Sequence, residues 1–139
     1  MNVPLYASDN ITDVLMKIVT FTKTRQKVLT ENINNQHKPA FIPHDLPVEE
    51  FSNLLNTALG EHTQKKRLLY IDTDNIKFQA QGIFNVKAVP DEHAAQILSA
   101  SRDEYVELQL SKMMENSLNQ KIAMELLKQK EGIVLHDQN

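Results

Sequence analysis

Cysteine is absent from the 139 residues, which removes disulfides, thiolate metal sites and cysteine nucleophiles together while leaving the compartment open. Glycine occurs only at Gly60, Gly82 and Gly132, too sparse for a loop that cradles phosphate, and no Gly-x-Ser-x-Gly elbow is present. Tryptophan is missing and aromatics make up 6% of the chain, so the core is expected to rest on helix seams of Ile, Leu, Val and Met rather than on packed rings. No apolar run approaches the roughly 20 residues of a bilayer span, which predicts a soluble chain without direct membrane insertion. Asp9 and Asp13 precede the first lysine, Lys17, so no secretory leader is expected. The formal charge is −3 with Lys and Arg spread along the chain, which gives no footprint for nucleic acid.

Apolar residues recur at helical spacing at Ile11, Val14, Leu15, Ile18, Phe21, Val28, Leu29 and Ile33, and predict an N-terminal helix within residues 1–35. A seven-residue frame puts Ile11, Ile18, Arg25 and Asn32 at one seam position and Val14, Phe21 and Val28 at the other, with Arg25 and Asn32 interrupting it. Ser8 or Asn10 is expected to cap its start, and Asn34, Asn35, Lys38 and Pro39 to end it. Residues 36–104 then change character. Pro39, Pro43 and Pro47 predict a stiff extended connector, and Val48 to Leu59 a short amphipathic helix stopped by Gly60. Ile76, Phe78 and Ala80, and after Gly82 also Phe84, Val86 and Ala88, alternate with polar residues, which predicts a small β-meander turning at Gly82. Pro90 to Ser101 reads as loop with a short helix near Glu92 to Leu98.

Residues 105–139 return to helix. Val106, Leu110, Met113, Met114, Leu118, Ile122, Leu126 and Leu127 form its stripe, while Glu107, Lys112, Glu115, Lys121, Glu125 and Lys128 form its polar face. The helix from Tyr105 to Lys130 would span roughly 39 Å, with Gly132 ending it. The expected fold is mainly α with a small β segment, in which the long terminal helices pack as an antiparallel hairpin or coiled coil. Methionines 113, 114 and 124 suit either an adaptable contact surface or plain core filling.

Candidate chemistry is thin. His37, His44, His62, His93 and His136 include no pair at the spacing that puts two imidazoles on one helix face. Asp72-Thr73-Asp74-Asn75 opens like a calcium loop, but Ile76 and Ile83 occupy ligand positions, so a turn is expected. Lys65-Lys66-Arg67 reads as a solvated charge run. The chain is therefore read as non-enzymatic, with no metal and no cofactor.

The segment Arg25-Gln26-Lys27-Val28-Leu29-Thr30-Glu31-Asn32-Ile33-Asn34-Asn35-Gln36-His37-Lys38-Pro39-Ala40-Phe41 resembles the N-terminal signature of the flagellar basal-body rod and hook family. There a helix runs through Arg-Gln and Leu to Asn-Ile-x-Asn and into a Thr-Pro-Gly-Tyr turn. Arg25, Gln26, Leu29, Asn32, Ile33, Asn35, Pro39 and Phe41 fall on that pattern, and Asp45 follows at the family's distance. At the other end Val106 and Glu115-Asn116-Ser117-Leu118 are similar, with Leu110 and Met113 on the same stripe. The chain departs from the family in four places. Ala40 stands for glycine, Lys38 for threonine, Gln120 for an aromatic, and Ser101-Arg102-Asp103 for an Asp-Gly-Asn step. A left-handed backbone at Ala40 would cost about 1 kcal/mol relative to glycine.

The short length is similar to that of the proximal-rod members of this family. The resemblance implies a divergent structural subunit of the bacterial flagellum, exported by the type III apparatus without a cleavable signal and located in the periplasmic basal body. It implies self-association in a helical tube, with other rod subunits, the rod adaptor protein and the membrane-ring protein as partners. Helical periodicity alone argues only for a helical interaction protein, and the alternative to the rod reading is a cytoplasmic helical adaptor or chaperone-like interaction protein.

Overall fold

The computed structural model describes residues 3–79 and 84–138. Helix α1, Val3–Asn34, begins earlier than its apolar stripe does. Pro4 sits in the first turn, where a missing amide costs nothing, and Ser8 and Asn10, expected as caps, lie inside the helix rather than at its start. The Asn10 amide instead donates to His62 Nδ1 at 3.0 Å. Past the helix end, the Phe41 amide bonds the Lys38 carbonyl at 3.2 Å across Pro39-Ala40, with Ala40 at φ 58°. Proline followed by a left-handed residue is the pattern of a type II turn, so the connector is folded back rather than uniformly extended. It delivers β1, His44–Asp45.

Helix α2, Val48–Lys65, carries Glu49 and Glu50 in its first turn, where negative charge faces the positive end of the helix dipole. It runs through Gly60 and ends at Lys66, which takes the left-handed cap at φ 60°. Glycine lowers helix propensity without breaking a helix whose Phe51, Leu54, Leu55 and Ala58 are buried. The turn at residues 72–75 is tied to α2. Glu50 accepts from the Thr73 hydroxyl, from the Asn75 amide at 3.0 Å and from Asn75 Nδ2 at 2.9 Å. Those hydrogen bonds, the Thr73 hydroxyl foremost, hold the Glu50 carboxyl below its usual range.

The expected meander is two separate antiparallel pairs. Strands β2, Ile76–Phe78, and β3, Phe84–Val86, form a hairpin with Ile76 opposite Val86 and Phe78 opposite Phe84. Ala80 and Gly82, expected to extend and turn it, lie outside the described residues. Strand β4, Val89–Pro90, pairs instead with β1, putting His44 opposite Pro90. Helix α3, Glu92–Ala100, follows, capped by Asp91 Oδ1 on the Ala94 amide at 3.0 Å. Helix α4, Arg102–Gln138, closes the chain and continues through Gly132, where an end was expected.

The fold is thus mainly helical, with the long terminal helices packed against each other and a small β segment between them. The apolar core joins α1, α2 and β2. Val14, Phe21, Leu46, Phe51, Leu54, Leu55 and Ile76 form it, with Val28 packed against its edge. The few rings are concentrated here. Phe21 stacks on Phe51 at 4.0 Å, and the series continues through Phe84 and Phe78 to Tyr70. The low aromatic share therefore does not spread into seams of aliphatics, because four of the five phenylalanines are spent in one cluster. Lys17 is buried beside it, paired with Asp13 at 3.0 Å and lying over the Tyr70 ring.

Candidate functional site: a polar seam between the terminal helices

Tyr105, Gln109, Lys112, Asn116 and Ala123 on α4 follow a three-four spacing, as do Thr22, Arg25, Leu29 and Asn32 on α1. These two polar stripes face each other. The helices run antiparallel, since Tyr105 and Gln109 meet Asn32 while Asn116 meets Thr22 and Gln26. Asn32, Gln109 and Asn116 are at most 2% exposed, so each must find its partners inside the protein.

Asn32 joins three elements. Its Nδ2 donates to the His44 carbonyl at 2.7 Å and to Gln109 Oε1 at 2.9 Å, and its Oδ1 accepts the His44 amide at 3.0 Å. Both backbone groups of His44 are thereby satisfied on the edge of β1 that β4 does not cover. The Tyr105 hydroxyl donates to the Asn32 carbonyl at 2.8 Å. Burial, with the nearby Asp91 charge, pushes that phenol up to about 12. Asn116 Nδ2 bonds the Thr22 carbonyl at 2.8 Å and Gln26 Oε1 at 3.2 Å. Gln109 Nε2 is buried without a partner among the described residues.

Beside Asn32 runs a chain of charges. Arg25 grips Asp45 with both arms, Nε to Oδ1 at 2.8 Å and Nη2 to Oδ2 at 3.0 Å. Lys112 Nζ donates to Asp45 Oδ2 at 3.1 Å and to Asp91 Oδ2 at 2.6 Å. Two cations and two anions therefore alternate across α1, β1, α4 and the cap of α3. Burial disfavours the Asp45 charge, but Arg25 and Lys112 outweigh it and hold the carboxyl below its usual range. Burial likewise opposes the Lys112 charge, and Asp91 and Asp45 reverse the balance, raising its ammonium above the usual lysine range. Each of the four groups is committed to another, and no cluster of His, Asp and Glu among the described residues is arranged to hold a metal.

Of the residues singled out in the sequence, Arg25, Gln26, Asn32, Asp45 and Asn116 come together in this seam, around a fully buried Leu29. Ile33, Val106 and Met113 are half-buried beside it. Asn35, Pro39 and Phe41 belong to the turn that leads into β1, with the Asn35 carbonyl accepting from the Lys38 amide at 3.0 Å. Leu110, Ser117 and Leu118 are not in the seam. They are exposed, as are Met114, Ile122 and Leu126, so the apolar stripe of α4 is not its packed face. The reason lies in α1. A face carrying Thr22, Arg25 and Asn32 demands polar partners, and leaving those groups against leucine would cost several kcal/mol. Tyr105, Gln109 and Lys112, which complete the seam, share a spacing that matches α1, and Lys112 belongs here rather than to the solvated face.

An open groove of about 290 Å³ runs along α1, α2 and α4, floored by Leu15, Phe21, Phe51 and Leu55 and walled by Ile122 and Leu126. No protein-family model, no curated protein and no solved structure matches the chain.

Proposed function

We propose that this chain is a structural subunit of the proximal rod of the bacterial flagellar basal body, of the FlgB type. One observation carries the reading. Arg25, Asn32, Asp45 and Asn116, four positions at which the sequence resembles the rod family, meet in one buried seam although the chain separates them by up to 91 residues. The left-handed Ala40 supports it, since the rod family places glycine at that position.

In this reading the seam fixes the terminal helices as one rigid layer, and assembly uses what the seam leaves uncovered. The groove beside α2 and the outer ridge of α4 are separate patches. Contact between unlike patches of neighbouring subunits does not close on itself and generates a helical filament, the geometry of a rod. The subunit is then exported by the type III apparatus to the periplasm, where rod subunits, the adaptor protein and the membrane ring are its partners. Deleting the gene in a flagellated host is expected to abolish motility, with the protein recovered in the envelope fraction of wild-type cells. Full motility of the deletion strain and a purely cytoplasmic pool would favour a cytoplasmic helical adaptor instead.

A further inference from the structure

The outer face of α4, one of the two patches the rod reading leaves for assembly, has a pattern of its own. Leu110, Met114 and Leu118 follow one another a turn apart and are 47%, 74% and 58% exposed, Met114 being the most exposed large hydrophobic residue among those described. Around Met114 the chemistry reads alike in both directions. Three residues away on either side are Ser111 and Ser117, four away are Leu110 and Leu118, and seven away are Glu107 and Lys121. All seven are exposed, and offsets of three, four and seven share one helix face.

We propose that this face pairs with the same face of a second copy, antiparallel, about a two-fold axis through Met114. Met114 then rests on the partner's Met114, Leu110 on the partner's Leu118, and Glu107 lies beside the partner's Lys121, twice over by symmetry. The serines beside Met114 leave room for the partner's larger side chains. Charge selects the direction. A parallel pair sets Glu107 on Glu107 and Lys121 on Lys121, whereas the antiparallel pair makes two opposite-charge contacts. A row of residues four apart crosses its own kind at about 50°, so the helices diverge beyond Glu107 and Lys121, and the like charges Asp103 and Glu125 stay apart. Such a contact uses the same patch on both copies and closes. The dimer is therefore a state of the free subunit that withholds the ridge from head-to-tail assembly, and its test does not depend on the rod reading.

Sedimentation equilibrium of the full chain, combined with cysteine cross-linking, tests this directly, because the natural sequence has no thiol to interfere. The wild type is expected to dimerise with rising concentration. Lys121→Glu, which sets Glu107 against glutamate at both ends, is expected to weaken the dimer at least about tenfold, and Glu107→Lys combined with Lys121→Glu to restore it. Facing positions in a helix pair bring Cα atoms within the roughly 7 Å limit of a disulfide. Met114→Cys is therefore expected to cross-link with itself, and Leu110→Cys to cross-link with Leu118→Cys in a mixture but not with itself. These side chains are exposed, so far-UV circular dichroism of each variant should match the wild type. A chain that stays monomeric at all concentrations, or a Lys121→Glu variant that dimerises as well as wild type, would overturn the proposal. Leu110→Cys joining itself as readily as it joins Leu118→Cys would do the same.

Discussion

Arg25 holds Asp45 through two parallel hydrogen bonds of 2.8 and 3.0 Å, with the arginine side chain 7% and the aspartate side chain 13% exposed. This pair locks β1 onto α1. Lys112 then extends the lock from Asp45 to α4 and to the cap of α3.

Neutralising one member leaves the other cation buried without its counter-charge. Asp45→Asn is expected to destabilise the fold by about 3–5 kcal/mol, read from urea unfolding. Arg25→Met in the same background should recover part of that loss, because it removes the stranded charge. A single Asp45→Asn cost below about 1 kcal/mol, the level of a surface pair, would mean the network contributes nothing special.

Stability should fall off at both pH extremes for reasons that can be assigned. The folded Asp45 carboxyl lies below its ordinary 3.8, so its contribution is complete above that value and is lost as pH falls through the folded one. Lys112 is raised above 10.5, so its contribution is complete below that value and is lost as pH rises through the folded one. Unfolding free energy measured against pH should show a smaller acid loss in Asp45→Asn and a smaller alkaline loss in Lys112→Met. Unchanged slopes in either variant would place the titrating groups elsewhere.

Two backbone positions carry residues poorly matched to their conformation. Ala40 sits at φ 58° in an exposed turn, so Ala40→Gly is expected to stabilise by up to about 1 kcal/mol. Gly60 is helical, and a Cβ added there meets nothing within 4 Å, so Gly60→Ala should add about 0.5–1 kcal/mol. Thermal melts of the two single variants and the pair should show additive gains, since the sites share no partner.

The amides of the seam are unequal. Asn32→Ala strips both backbone groups of His44 of their partner and should cost about 2–4 kcal/mol. Gln109→Met removes a buried donor that has no partner among the described residues, and takes one acceptor from an Asn32 amide that keeps its bond to His44. Its expected effect is within about 1 kcal/mol of wild type, and equal losses in the two variants would contradict the assigned hydrogen-bond roles.

The terminal helices were legible because period 3.6 is a local signal, and so was the alternation of Ile76 and Phe78 that became β2. What periodicity could not supply was the choice of face. The α4 stripe through Leu110, Met114 and Leu118 is the more apolar one, yet tertiary demand from Arg25 and Asn32 selects Tyr105, Gln109 and Asn116 instead. The pairing of His44–Asp45 with Val89–Pro90 was equally hidden, since two-residue strands have no period and their register depends on an asparagine twelve residues upstream. Gly60 and Gly132 misled as helix stops because a propensity deficit of about 1 kcal/mol does not by itself end a helix, and at Gly60 the buried face of α2 outweighs it. Ala40 is the reverse case. Its left-handed backbone could be anticipated from the position it fills in the Pro39-Ala40-Phe41 turn.

The central claim is best tested by mass spectrometry of basal bodies purified from a flagellated host carrying this gene. The account predicts the chain in that fraction, stoichiometric with other rod subunits and released only when the rod itself is dissociated. Its absence from intact basal bodies, with the whole pool remaining in the cytoplasm, would contradict a rod subunit.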